Sequence, residues 1–248
     1  MYRFPILLFL FFAITSCKTH YTLHHTKVSS VALDNIHEPM ADTSDVNFML
    51  PYKNQVDAIM EKIIGESETA LEKNSPEGLL GNFATDACMQ TLANQLKDEK
   101  IDFCFLNNGG LRTAMPKGKW KMGNVFELMP FENELVLVYV NGKAVIELCD
   151  FIAAKGGMPV SGISMEIKAG KAQNILIKNL PIESEKKYCI LTSDFLANGG
   201  DKLTMLAAAE KKVPGIKVRD AILSYIESQT TIGKIISVKL EGRITNAK

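Results

Sequence analysis

Apolar and polar positions alternate along this chain in two different rhythms, and the change from one to the other marks out its elements. Val56, Ile59, Met60, Ile63 and Ile64 recur at intervals of three and four residues. That spacing predicts an amphipathic helix beginning near Pro51 and ending around Gly65. Beyond the break "NSPEG", Leu80, Phe83, Ala87 and Leu92 fall on one face of a second helix. "IDFCFLN" is a short unbroken apolar run and reads as a buried strand that stops in "NGGLR". "ELVLVYVNGK" reads as a long strand ending in an Asn-Gly turn, with "AVIELCDFIAA" starting a helix directly after it. "GISMEIKAG" and "NILIKNL" pair naturally as a hairpin around Gly170 and Lys171. "KKYCILTSD" predicts another strand, "RDAILSYIES" a late helix and "IISVKLEGRI" a closing strand. Helices and strands mix without a strict alternating repeat. The expected fold is therefore α+β, a mixed β-sheet with packed helices, rather than a doubly wound one.

The first residues follow neither rhythm. "MYRFPILLFLFFAITSC" carries one cation, Arg3, then an apolar run from Phe4 to Ile14 and a few small residues. The run falls short of the roughly 20 residues a membrane-spanning helix needs, so it reads as an export signal. Ile14-Thr15-Ser16-Cys17 resembles a bacterial lipobox, which implies that Cys17 becomes the lipidated first residue of the mature protein. A plain cleaved signal with an incidental cysteine is the alternative. Several acyl chains on Cys17 would hold the protein firmly to a membrane, whereas one binds only marginally. Residues 18–46 are polar, mixed and aperiodic, as a flexible tether would be. The expected organisation is a signal with lipobox over 1–17, a tether over 18–46 and one domain over 47–248. The expected location is the bacterial cell envelope, facing the periplasm or the cell surface.

Composition narrows the classes of partner. Lys plus Arg and Asp plus Glu number 28 each in 248 residues. No basic stripe stands out, so a nucleic acid polymer is not the expected ligand. Beyond Cys17 the cysteines are Cys88, Cys104, Cys149 and Cys189. Each lies in an apolar or helical run without CxxC spacing, so buried free thiols are expected and a metal site is not.

Three loops carry candidate chemistry. "LNNGGLRT" offers Asn107 and Arg112, "MPFENE" offers Phe131 and Asn133, and "FLANGGD" offers Phe195 and Asp201. Paired glycines let backbone turn tightly or approach a ligand closely. A planar guanidinium suits carboxylate or phosphate. Two phenylalanines placed before polar turns can hold a flat base between them, worth roughly 1–3 kcal/mol per stack. An aspartate opposite can accept hydrogen bonds from a sugar diol. Each piece also has a structural reading: Phe131 as a core anchor, the "NGG" pairs as turns, Arg112 as a solvated charge.

The segments "GNFATDACMQ", "DFCFLNNGGLRTAMPKGKW", "GNVFELMPFENELVLVYVNGKAV" and "TSDFLANGGDKLTM", in that order, resemble the C-terminal domain of the 5'-nucleotidase family. The resemblance runs from about Pro51 to the C-terminus. It implies a substrate-binding domain in which the base stacks between Phe131 and Phe195. It also implies that Asn107 and Arg112 open and close a glycine-rich turn, Asn133 reads the base and Asp201 binds ribose. The chain departs from the family pattern in three places. Lys73 is the cation before "GN", where the family usually has an Arg; Asn108 replaces one glycine of a triple; and Lys202-Leu203 follow Asp201.

In that family a separate two-metal domain performs the hydrolysis. The four histidines here all precede residue 38, and no "GNHD" or "DxH" element occurs. The chain alone is therefore expected to hold no metal or other cofactor and to hydrolyse no phosphate ester. Divalent metal ions are expected only on a separate metallophosphatase partner. The favoured reading is the nucleoside- or nucleotide-binding half of a split enzyme in nucleotide catabolism. A stand-alone nucleoside- or nucleotide-binding lipoprotein without activity is the alternative, and a scaffold that lost its ligand is a third.

Overall fold

A computed structural model describes residues 21–30 and 43–247. The expected signal with Cys17, and residues 18–20 and 31–42 of the expected tether, lie outside the described residues. The chain divides into two units, residues 1–50 and 51–248. Within the first, residues 21–30 are exposed and have no regular secondary structure. Helix α1 spans Thr43–Met60, so it begins earlier than the expected start near Pro51 and takes in the last residues of the expected tether. It also ends earlier than Gly65. Ile63 and Ile64 belong to strand β1 (Ile63–Ser67), which pairs antiparallel with β3 (Gly118–Lys121). The helical period of the sequence therefore carried across a boundary: a short apolar run fits either element, and here cross-strand pairing with Trp120 and its neighbours decided it. Among the described residues no helix is long and apolar enough to cross a membrane.

The centre of the larger unit is a five-stranded sheet. In chain order its strands are β2 (Phe103–Phe105), β4 (Leu135–Asn141), β5 (Val160–Ser161), β9 (Lys187–Ser193) and β10 (Glu210–Lys212). They lie side by side as β10-β4-β9-β2-β5. β9 runs parallel to β2, and the other neighbours are antiparallel, so the sheet is mixed as expected. Side chains alternate between its two faces. Leu135, Leu137 and Leu191 enter one core with helices α2 (Leu79–Gln95), α3 (Met122–Leu128) and α7 (Val218–Thr231). Val136, Val138 and Ile190 enter a second core with helices α4 (Gly142–Ala154) and α6 (Thr204–Ala207). Burial on both faces explains why these strands read as unbroken apolar runs rather than as an alternation. At Asn141 the strand passes directly into the helix expected after it. The Asn141 Oδ1 accepts from the Ala144 amide at 3.0 Å and caps α4.

A second sheet has four strands, β6 (Ile163–Lys168), β7 (Lys171–Ile177), β8 (Leu180–Pro181) and β11 (Ile244–Asn246), ordered β11-β6-β7-β8. β6 and β7 form the expected hairpin, with β8 beyond. The expected closing strand over "IISVKLEGRI" is mostly absent. Ile236 makes a single bridge to Ser67, and pairing resumes only at β11, parallel to β6. Side chains hold the intervening loop instead. The Glu77 carboxylate accepts from the amides of Glu241, Gly242 and Arg243 at 2.9 to 3.2 Å. Arg243 forks onto Asp86 at 2.9 and 2.7 Å. The four cysteines of the domain are buried free thiols. Burial pushes the Cys88 and Cys149 thiols up to about 12, so they are inert packing groups.

Candidate functional site

Strand direction places the three candidate loops together. β2 and β9 are parallel neighbours, so "NNGGLR" and "FLANGGD" leave from the same end of the sheet. β4 is antiparallel to β9, with Leu135 opposite Ser193, so "MPFEN" enters β4 at that same end. The three loops surround a cavity of about 340 Å³. Asn107, Gly109 and Gly110 line it from the first loop, Phe131 and Asn133 from the second and Phe195 from the third. Its floor is apolar, formed by Leu106, Met129 and Val218. The volume lies in the range of small-molecule sites, as does the mixture of apolar walls and a few polar groups.

Both phenylalanines are largely outside the core: Phe131 is 42% exposed and Phe195 47%. A core phenylalanine such as Phe83, packed edge-on against Trp120 at 5.2 Å, is buried completely by comparison. The anchor reading of Phe131 therefore does not describe this side chain. Arg112 lies over the Phe131 ring, 5.9 Å from its centre, and donates to the Gly109 carbonyl at 3.4 Å. It is exposed beside an aromatic plate, and neither Arg112 nor Asp201 lines the cavity itself.

The polar groups are tied across the loops. Asn107 Nδ2 donates to Asp201 Oδ2 at 2.8 Å, joining the first loop to the third. Asn133 Nδ2 donates to Asp194 Oδ1 at 2.7 Å, and the same oxygen accepts from the Phe195 amide at 2.7 Å. Asp194 therefore links the two aromatic loops. Asp201 sits in the left-handed region at φ 53°, between Gly199 at φ 93° and Lys202 at φ 73°. Successive positive-φ residues are uncommon outside glycine, and Asp is among the few side chains that accept the conformation.

Space for a side chain is tight at two glycines here. A Cβ on Gly110 would stand 2.8 Å from Asn107 Oδ1. A Cβ on Gly200 would stand 2.5 Å from the Phe195 carbonyl and 2.6 Å from its ring. The family departures also have definite places. Lys73 donates to the Leu111 carbonyl at 3.0 Å and braces the first loop. Asn108 donates to the Gly157 carbonyl at 3.4 Å, and Leu203 is buried.

Sequence patterns did not single out Asp194 or Arg219. Asp194 stands next to a candidate aromatic at the start of the short helix α5 (Asp194–Ala197), a position that reads as ordinary helix chemistry. Arg219 is a cation set among Val218, Ala221 and Ile222 on the buried face of α7, which was the available signal.

A sequence model of the 5'-nucleotidase C-terminal domain matches residues 45–208, more than half of the chain. The chain belongs to the 5'-nucleotidase family, through its C-terminal domain. Protein UshA of Escherichia coli is 29% identical over 161 residues, covering 63% of this chain and 29% of UshA. Cell wall protein Lmo0130 of Listeria monocytogenes is 27% identical over 184 residues, covering 67% of this chain and 23% of its own length. A crystal structure of the 5'-nucleotidase precursor from Thermus thermophilus superposes with a TM-score of 0.68 at 27% identity. That match covers 83% of this chain and 43% of the Thermus protein. The chain thus spans less than half the length of each of these relatives.

Among the described residues no group of three or more His, Cys, Asp or Glu side chains is placed to hold a metal ion.

Proposed function

We propose that this domain binds the nucleoside part of a nucleotide, as the substrate-holding half of a 5'-nucleotidase-type phosphohydrolase in nucleotide catabolism. One observation carries the reading: two half-exposed phenylalanines from different loops wall the same apolar-floored cavity. Exposing two aromatic rings toward one cavity forgoes the burial that usually places them inside. A flat base between them recovers it. Asn107 and Asn133 offer amides to the polar edges of the ligand, and Asp201 offers a carboxylate to the ribose diol. Arg112, over the Phe131 ring, offers a guanidinium to a phosphate carried by the ligand. The hydrolytic step belongs, on this proposal, to a separate metallophosphatase subunit.

The test is calorimetric titration of residues 43–248 with adenosine, cytidine, guanosine, uridine and their 5'-monophosphates, with and without a candidate metallophosphatase. Binding of nucleosides is expected, and turnover only in the mixture. Asp201→Asn keeps shape but removes the carboxylate, so it should weaken ribonucleosides far more than 2',3'-dideoxynucleosides. Equal weakening of both would remove Asp201 from ribose recognition. Binding without turnover in any mixture would leave a nucleoside-binding protein rather than half of an enzyme.

We further propose that the protein works at the bacterial cell envelope, held by lipid on Cys17. The signal-like first residues support this, as does its similarity to a protein named for the cell wall. Cys17→Ala should release it from membranes or block its maturation. A Cys17→Ala protein that matures and stays on membranes after a high-salt wash contradicts the anchor.

A further inference from the structure

Arg219 breaks three local rules at once. It lies in the first turn of α7, where the helix dipole favours an anion and disfavours a cation. It is buried, at 6% exposure, so its charge has been taken out of water. Its Nε is buried with no hydrogen-bond partner, a costly arrangement for a donor. Residues that violate several such rules together mark places where another requirement outweighs stability.

The contacts of Arg219 identify that requirement. Nη1 donates to the Met129 carbonyl at 3.2 Å and to the Phe131 carbonyl at 3.5 Å. Nη2 is paired with the Glu132 carboxylate, which Lys217 also holds. The guanidinium lies over the Phe126 ring, 4.4 Å from its centre, where α3 feeds into the loop. All of these contacts end on Phe126 and the segment 129–132. That segment has no regular secondary structure. Among the described residues, neither the Phe131 amide nor the Pro130 and Phe131 carbonyls enter a backbone–backbone hydrogen bond. Lys217 on Glu132 and the Asn133 side chain on Asp194 fix the end of the loop, and the Arg219 guanidinium alone reaches the Met129 and Phe131 carbonyls in its middle.

We infer that Arg219 is a positioning residue for ligand binding: it fixes the segment that presents the Phe131 ring, so that the ring meets the ligand already ordered. The inference rests on the nucleoside reading of the cavity. A plate that is ordered beforehand avoids the entropy of being ordered by the ligand, and affinity rises accordingly. Lysine cannot replace the fork, because a single ammonium does not span two carbonyls and a carboxylate in one plane.

The test is a double-mutant cycle between positions 219 and 131, read by adenosine titration alongside thermal melting of the same domain. Arg219→Met replaces a buried charge by an apolar chain of similar reach, a change that buried ion pairs often tolerate in stability. It should weaken adenosine by about tenfold, within the range expected for losing the Phe131 stack itself. Arg219→Lys should recover part of that loss. On the Phe131→Ala background, Arg219→Met should change affinity by less than about twofold, because no ring remains to position. A purely structural Arg219 predicts otherwise: a lower melting temperature with the wild-type Kd, or an equal loss of affinity with and without the Phe131 ring. Either result overturns the inference. If Arg219→Met does not fold, the same cycle run with Arg219→Lys and Glu132→Gln decides by the same criterion. A wild-type domain that binds adenosine while the cycle is additive sinks this inference alone; one that binds no nucleoside sinks the reading beneath it as well.

Discussion

The two aromatic loops hold their phenylalanines by opposite means. Phe131 is held by charge. Arg219 grips its backbone from beneath, Arg112 lies over its ring, and Glu132 next to it is paired with Lys217 and Arg219. Phe195 is held by backbone shape. The Ser193 side chain caps the short helix behind it, and the chain then turns through left-handed residues at Gly199, Asp201 and Lys202. Gly200 packs against the ring so closely that no side chain fits between them. Two walls of one cavity can thus be equally exposed and still respond to quite different changes. The first should be sensitive to the chemistry of its cations, the second to the volume of its glycines.

The largest expected effect breaks the second wall. Gly200→Ala drives a Cβ into the Phe195 carbonyl, which cannot swing away as a side-chain tip could. We expect a loss of about 1–3 kcal/mol in stability by thermal melting, and no measurable nucleoside binding. Gly109→Ala, whose Cβ would meet only Asn107 Nδ2 at 3.6 Å, should melt nearly as wild type. The contrast separates glycines that the site requires from those that merely turn the chain. Phe195→Ala should rescue the melting of Gly200→Ala only in part, since the carbonyl contact remains.

Removing either plate comes next. Phe131→Ala and Phe195→Ala should each weaken nucleosides by about 1–3 kcal/mol, roughly ten- to a hundredfold in Kd. Their melting temperatures should move much less than that of Phe83→Ala, where truncation of a core ring costs about 3–5 kcal/mol. Should the two site variants melt as early as the Phe83 variant, both rings are core groups and the comparison of two walls collapses.

The smallest effect sharpens the first wall through acid. Hydrogen bonds from Lys217 and Arg219 hold the Glu132 carboxyl down at about 2, from an ordinary 4.5. A depressed carboxyl stabilises the folded state fully above its unfolded value and loses that contribution as pH falls. The melting advantage of wild type over Glu132→Gln should therefore be constant above pH 4.5 and shrink toward about pH 2. Its size should be modest, because Glu132 is 61% exposed and its ion pairs are screened by water and salt. An advantage that grows as the pH falls would reverse the sign and remove the Glu132 ion pairs from what stabilises the first wall.

Legibility in the sequence differed sharply between elements. Long, doubly buried strands such as β4 and β9 were plain, because an unbroken apolar run of that length has to be covered on both faces. The boundary between α1 and β1 was not, since Ile63 and Ile64 fit either period and only the partner strand β3 chose. The loop before β11 read as a strand because its apolar residues alternate. Glu77 and Arg243, distant in sequence from much of what they bind, replaced the ladder with side-chain hydrogen bonds.

The candidate site divides in the same way. The sequence by itself determined the family, through four ordered motifs, and it named six residues on three loops. Residue types and their local spacing are one-dimensional properties, so they can be read directly. Only the tertiary structure decided that these loops leave one end of the sheet, because that depends on which strands run parallel. It also decided that Asp194 and Arg219 matter, since each acts on a segment some sixty to ninety residues away in the chain. A side chain whose partners lie so far off leaves no periodic trace; its role exists only once the backbone has brought those partners within hydrogen-bonding reach.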